Sequence, residues 1–196
     1  MTSRTLLVAT GNAHKTQEIA AILGSDWMVE DLRAHPQLSS PEENGTTFEA
    51  NARIKAESAS RELPGVLVLS DDSGLEVDAL GGAPGVISAR YAGPSAADVD
   101  NRERVKRELA GRESKARFRC CMVLARDGQT LGVFNGAVEG RIVITEQGGG
   151  GFGYDPLFVP DGYTETFGVL PGEVKNQLSH RARALSQVIE WLKTNP

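Results

Sequence analysis

Cysteine is scarce in this chain: among 196 residues only Cys120 and Cys121 occur, neighbours in a run that reads as a β-strand. Successive strand side chains face opposite ways, which argues against a disulfide between the two, and no zinc-ligand spacing surrounds them; they read as packing residues. Long apolar runs are also missing. The opening "MTSRTLLVATGN" has too short an apolar stretch for the core of a signal peptide, and no segment reaches bilayer-spanning length, so the expectation is a cytoplasmic protein without a membrane partner. A basic excess is lacking as well, since 21 Lys and Arg face 26 Asp and Glu for a net charge of −5. Proteins that grip nucleic acid by its phosphates more often carry such an excess, so nucleic acid is not an expected partner. Any bound polyanion should be small and met by a local cluster of lysines and arginines. Internal repeats and linker-like stretches are absent too.

What is present is the composition of an ordinary soluble globule, 40% apolar and 24% charged. The length suits one domain over residues 1–196, built either as one body or as two lobes around one cleft. "RTLLVA" reads as a first buried strand, "TGNAHKTQEIAAILG" as a turn into a helix that Gly24 ends, and "WMVEDL" as a second strand. Arg33 to Gly45, with two prolines, reads as a loop. Thr46 and Glu49 have capping-box spacing and predict a helix to about Leu63, which Pro64-Gly65 breaks. "VLVLS" supplies the next strand, and a charged helix follows from about Ser95 to Ala110. Asp127-Gly128 joins two strand-like runs as a β-hairpin. A last helix starts at about Ser179. Interspersed strands and helices predict an α/β protein with a mixed sheet.

Charged residues stand where apolar ones are expected. "LSDDSGLEVDAL" sets Asp71 and Asp72 side by side at the end of an apolar run. Their repulsion grows in a low dielectric, so either a cation lies near them, first of all a divalent metal, or they form a solvated turn. In the helix begun at Thr46, 100° per residue puts Phe48, Ala52, Ala56, Ala59 and Leu63 on one stripe, with Lys55 inside it. Lys15 lies close to the face of Ile19 and Leu23. A lysine so placed either snorkels to water or points inward at a bound anion. The strand–helix turn holding Thr10, Gly11, Asn12, Ala13, His14 and Lys15 is where free N–H groups and the helix dipole favour a phosphate, although His14 replaces the glycine that a Walker A loop needs. Gly148, Gly150 and Gly153 fit a dinucleotide-binding spacing, but Pro156 stands where a helix should open. The glycine run permits positive φ and a close approach to ligand, and Phe152 and Tyr154 offer flat faces; the alternative is a flexible surface loop. "EVKNQLSHRARAL" puts Lys175, Asn176, His180 and Arg181 at or before a helix start, as donors to a base edge and phosphate or as a solvated polar cap.

Five stretches, "ATGNAHKTQEI", "PEENGTTFEANARIKA", "SDDSGLEVDALGGAPGVISARYAG", "GGFGYDPLF" and "EVKNQLSHRARAL", together resemble the inosine/xanthosine triphosphate pyrophosphatase family, in the family's order and over nearly the full chain. The resemblance implies an elongated mixed β-sheet flanked by helices, two lobes around a central nucleotide cleft, and a homodimer. It implies Mg2+-dependent hydrolysis of ITP, dITP and XTP to the monophosphate and pyrophosphate. Thr10 to Lys15 would form the triphosphate site, with Lys55 reaching in from the second helix. Asp72 would be the catalytic carboxylate and Ser73 would touch the nucleotide. Glu42 or Glu43, with Asp72, would hold magnesium. Phe152, Gly153, Tyr154, Asp155, Lys175, His180 and Arg181 would enclose base and sugar, donors of "SHR" reading the 6-oxo group. Two competing readings stand beside this one: a pyrophosphatase for modified pyrimidines or methylated nucleotides, and a catalytically silent nucleotide sensor.

Overall fold

The apolar run Arg4–Val8 forms β1, the first strand of a computed structural model in which residues 4–39 and 41–195 are described. Ser40, within the predicted loop, and Met1 to Ser3, within the opening stretch, lie outside those residues. Asn12 caps α1 (Ala13–Leu23), and Gly24, at φ 76°, ends it in a conformation that costs glycine little. Next comes β2 (Trp27–Asp31), parallel to β1. The second helix, α2 (Phe48–Glu62), starts one residue later than the capping-box spacing implies. Its cap is Thr47, whose Oγ1 accepts from Ala50 N at 3.1 Å. Gly45 N is bound to Asn51 Oδ1 at 2.8 Å, which ties the irregular chain before the helix to its first turn.

The next strand, β3 (Val68–Val77), is longer than expected and runs through both aspartates. What ends near them is β1, which pairs with β3 only at Leu7–Val68 and Val8–Leu69. After α3 (Asp98–Leu109), the hairpin of β4 (Ser114–Arg126) and β5 (Gln129–Ile142) turns at Asp127-Gly128 as predicted, with φ of 54° and 77°. The chain continues through β6 (Phe158–Pro160), a helix α4 (Gly172–Leu178) that the sequence did not announce, and α5 (His180–Thr194). Strand order is β2-β1-β3-β4-β5-β6; β1 runs parallel to β2 and β3, while β5 and β6 are antiparallel, so the sheet is mixed as expected.

Two units emerge, Met1–Asp72 with Cys120–Gly136 and Arg181–Pro196, and Ser73–Arg119 with Ala137–His180. In the first, period-two alternation sorts each strand into two cores. Leu6, Val8, Leu67, Leu69, Cys120 and Met122 pack with Ile19 of α1 and with Leu185 and Val188 of α5. Leu7 and Val68 pack with Ala59, and Cys121 and Val123 with Ala52 and Ala56, all on α2. Cys120 and Cys121 therefore fall on opposite faces, both buried and free. A fully buried leucine such as Leu69 or Leu185 contributes about 2 kcal/mol through burial. The second unit centres on Leu75, Val105, Leu109, Leu157 and three rings, Phe118, Phe158 and Phe167; Phe158 lies 4.7 Å from Phe118 and 5.4 Å from Phe167.

Candidate active site

The alternation that sorts the first core also sorts the aspartates. Asp71 has the parity of Leu67 and Leu69 and faces α1 and α5, whereas Asp72 has the parity of Val68 and Ser70 and faces α2. The two carboxylates therefore do not converge on a single cation; each has its own. Asp71 Oδ1 pairs with Lys15 Nζ, and Oδ2 accepts from Arg181 Nε at 2.9 Å and from Cys120 Sγ at 3.2 Å. Asp72 Oδ1 accepts from Lys55 Nζ at 2.8 Å, and its Oδ2 lies at the limit of reach, 3.5 Å, from Asn51 Nδ2. Both ammonium groups also meet at one atom, the carbonyl oxygen of Asp71, at 3.4 Å from Lys15 Nζ and 2.9 Å from Lys55 Nζ. Neither lysine snorkels: their side chains are 15% and 13% exposed.

These surroundings pull the two neighbours apart in acidity. Burial alone would raise the Asp71 pKa, but Arg181 and Lys15 outweigh it and hold the carboxyl well below the usual range. For Asp72 burial wins over the attraction of Lys55, and its pKa is raised. The Lys55 ammonium is opposed by burial yet raised on balance by Asp72 and Glu43. Burial, reinforced by Asp71, pushes the Cys120 thiol well up, so it donates a hydrogen bond rather than ionising.

Glu43 Oε2 lies 3.1 Å from Lys55 Nζ, whereas Glu42 is exposed. One ammonium thus stands between Asp72 and Glu43, as a cation held by two hard oxygen donors would. Sequence reasoning passed over Asn51. It is fully buried, its Oδ1 fixes Gly45 N and its Nδ2 faces Asp72, so one amide connects the glutamate loop to the catalytic candidate. A side chain at position 45 would have its Cβ 2.6 Å from that Oδ1, so the contact needs glycine. The available signal was spacing: Asn51 lies four residues before Lys55, one turn along the same stripe.

At the first strand–helix turn, Thr10 Oγ1 accepts from Asn12 N at 3.1 Å, and Asn12 Oδ1 accepts from His14 N at 2.9 Å and Lys15 N at 3.4 Å. Part of the N–H supply expected for phosphate is thereby taken by the cap. Gly11 and His14 are exposed, Ala13 is half-buried, and a Cβ on Gly11 would meet nothing within 4 Å. Ser73 follows Asp72 on β3, half-buried.

In the second unit, Asp155 Oδ2 accepts from Lys175 Nζ at 2.5 Å and Phe152 N at 2.9 Å. The same ammonium lies 4.7 Å from the Phe152 ring centroid and 5.9 Å from that of Phe167. Gly148, Gly151 and Gly153 take the positive φ that the run allows, and Gly153 N donates to Asp98 Oδ2 at 2.7 Å. Tyr154 is not an open face: it is buried in the second core with its hydroxyl on Ser88 O at 2.7 Å. His180 is buried and stacks on Phe118 at 4.9 Å. Arg181 belongs to the first unit, engaged by Asp71 and Glu18.

The chain matches the model of the Ham1 family over residues 6–191. It is 45% identical over 190 residues to a dITP/XTP pyrophosphatase of Halalkalibacterium halodurans, covering 95% of this chain and 97% of that one. A protein of the same name from Methylococcus capsulatus is 43% identical over 195 residues, 97% of this chain and 96% of its own length. The structure of the Staphylococcus aureus Ham1 protein is similar with a TM-score of 0.86 at 36% identity, covering 98% of this chain and all of that one. Sequence and fold agree over nearly the whole length, and the chain belongs to the Ham1 family.

Proposed function

We propose that this chain is a magnesium-dependent nucleoside triphosphate pyrophosphatase, which hydrolyses ITP, dITP and XTP to the nucleoside monophosphate and pyrophosphate as a cytoplasmic homodimer. The observation that carries the reading is the meeting of the Lys15 and Lys55 ammonium groups on the Asp71 carbonyl, beside the Asp72 carboxylate. The names of the two relatives support the substrate class. No helix among the described residues is long and apolar enough to cross a membrane.

The reaction forms a bond from a water oxygen to the α-phosphorus and breaks the α–β bridging bond, so pyrophosphate leaves with its electrons. Asp72 orients that water and takes its proton. Lys15 and Lys55 exchange their carboxylate partners for phosphate oxygens and stabilise the leaving pyrophosphate. Charge balance favours a metal: around these groups Lys15, Lys55 and Arg181 face Glu18, Glu43, Asp71 and Asp72, one negative charge in excess, which would repel a polyanion. Asp72 and Glu43 fit magnesium as hard donors, and bound there it would neutralise phosphate charge and polarise the α-phosphorus. No group of three or more His, Cys, Asp or Glu is gathered as a metal site among the described residues, so Asp72 and Glu43 would need water and substrate oxygens to complete the coordination of such an ion. In the second unit by itself, the ring of Phe152 beside Lys175 and Asp155 offers a flat face of the kind that suits a base.

The test is purified protein with ITP, dITP, XTP, ATP and GTP, with and without Mg2+, measuring monophosphate and pyrophosphate. ITP, dITP and XTP should yield pyrophosphate only with the metal, well ahead of ATP. Release of orthophosphate instead, or equal turnover of ATP, would overturn the reading.

A further inference from the structure

The Phe152 ring follows a run of four glycines, Gly148 to Gly151, and Gly153 comes directly after it. Glycine has more backbone freedom to lose than any other residue, so a ring on such a run keeps one position only if groups outside the run fix its ends. Within the second unit, helix α3 supplies those groups. Asp98, Arg102 and Lys106 stand four residues apart and share one face of it. Asp98 Oδ2 accepts from Gly153 N at 2.7 Å, and Arg102 Nη1 donates to Gly153 O at 2.9 Å, so successive turns of one helix take both polar groups of one residue. Ahead of the run, Glu146 is met by Arg102 Nε at 3.1 Å and by Lys106 Nζ at 3.2 Å. Arg102 thus joins the two ends, with its side chain only 14% exposed. Backbone bonds hold the start and middle of the run, Gln147 N to Pro156 O and Gly150 N to Gly168 O, both at 2.9 Å, whereas at Gly153 both bonds come from side chains of α3.

We propose that Asp98 and Arg102 are positioning residues for base recognition: they fasten the N–H and the carbonyl of Gly153 so that the adjoining Phe152 ring is presented in one place to a flat heterocycle, without touching the ligand themselves. The inference rests on the pyrophosphatase reading for its ligand class, a purine nucleotide, and on the Phe152 ring as the face that meets the base.

IMP, which carries a base and no anhydride bond to cleave, and inorganic tripolyphosphate with Mg2+, which has no base, separate positioning from general support. Both are titrated by calorimetry into the wild type, Arg102→Met and Asp98→Ala, and hydrogen exchange of the 147–153 amides is followed by mass spectrometry. Each variant should bind IMP about three- to fivefold more weakly, as for loss of one hydrogen bond, and hold tripolyphosphate within about twofold. The 147–153 amides should exchange faster while those of α5 stay protected. Asp98→Asn keeps an acceptor for Gly153 N and should restore most of the IMP affinity. In a Phe152→Leu background the Arg102→Met loss should shrink below about twofold, because the ring through which it acts is gone. An IMP loss undiminished in that background, an equal loss of tripolyphosphate, unchanged exchange, or unchanged IMP affinity despite faster exchange overturns the proposal, as does a wild type without affinity for IMP. If Arg102→Met does not fold, the exposed Asp98 decides by the same comparisons. The two readings fail separately. A wild type whose IMP affinity depends on Asp98 and Arg102 but which releases no pyrophosphate from ITP defeats the pyrophosphatase, whereas ITP hydrolysis with an IMP affinity indifferent to both residues defeats this inference alone.

Discussion

In the first unit the candidate side chains are ions paired with ions, Lys15 on Asp71 and Lys55 on Asp72 and Glu43, all on strands, helices or the loop that one buried asparagine ties down. In the second, a single ammonium, Lys175, pairs with Asp155 and lies against the faces of Phe152 and Phe167 at the foot of a glycine-rich turn. The contrast is one of ligand chemistry. An ion pair can trade its anion for a phosphate at small net cost, because one charge-assisted hydrogen bond replaces another. A ring face offers a polyanion nothing but suits a flat base. Substitutions of Lys15, Lys55 or Asp72 should therefore disturb every phosphorylated ligand, and those of the Phe152 ring only ligands that carry a base.

The largest effect is expected where the pairing is also chemical. Asp72→Asn keeps the shape of the side chain and removes the proton acceptor, so ITP turnover should fall roughly a hundred- to ten-thousandfold while the melting temperature moves by only a few degrees. Steady-state kinetics beside a thermal melt checks both halves, and near-normal turnover would remove Asp72 from the mechanism. On the other side of the comparison, Phe152→Leu keeps an apolar side chain and loses the ring face. The KM for ITP should rise about tenfold, the worth of one base–aromatic contact, while tripolyphosphate affinity stays as it was. A parallel loss for tripolyphosphate would erase the distinction between the units.

An ion pair elsewhere in the first unit serves as the control. Asp31 is 5% exposed, bonded to Arg33 Nη2 at 2.6 Å and to the Thr16 hydroxyl at 2.7 Å. The bond to Arg33 outweighs burial and lowers its pKa to about 2. A depressed carboxylate stabilises the fold above its unfolded pKa, near 4, and that contribution is lost as pH falls toward 2. Discounted for the exposure of Arg33, it amounts to about 1 kcal/mol at neutral pH. Urea midpoints of wild type and Asp31→Asn should differ accordingly at pH 6, with roughly half the gap gone by pH 3. A gap that widens on acidification would contradict the sign.

The fold was largely legible because alternation and helical stripes are local. The period that separates Cys120 from Cys121, and the stripes that enclose Lys15 and Lys55, can be read from neighbours in the chain alone. The same period also separates Asp71 from Asp72, but it goes unread when the strand is taken to end at Ser70, where the apolar residues stop. Strand β3 persists there because each carboxylate finds a cation brought by another element, which no local pattern records. Glu18 and Asn51 escaped for the same reason, as did the pairing of Arg181 with Asp71, their contacts being fixed by partners elsewhere in the chain, up to 163 residues away for Glu18 and Arg181. That Glu43 lies beside Lys55 while Glu42 is exposed could be seen only once Lys55 was placed. Helix α4 stayed hidden because its seven residues offer just Val174 and Leu178 to a core, too few to show a period.

The smallest effect concerns how firmly α2 delivers Lys55. Thr46 has the capping-box spacing to Glu49, yet it is the adjacent Thr47 whose hydroxyl accepts from the first turn, at Ala50 N. Its carbonyl also takes the first helical bond, from Asn51 N at 3.2 Å, so loss of this cap loosens the residue that ties Gly45 to the Asp72 side of the strand. Thr47→Ala should cost about 1 kcal/mol in urea-midpoint stability, and Thr46→Ala almost nothing. If the helix end is a structural device of the first unit and not part of its ion exchange, the Thr47 variant should lower stability while leaving the KM for ITP within about twofold. A larger rise in KM would place the cap among the groups that set Lys55, and the line between framework and site in that unit would have to be redrawn one turn further along α2.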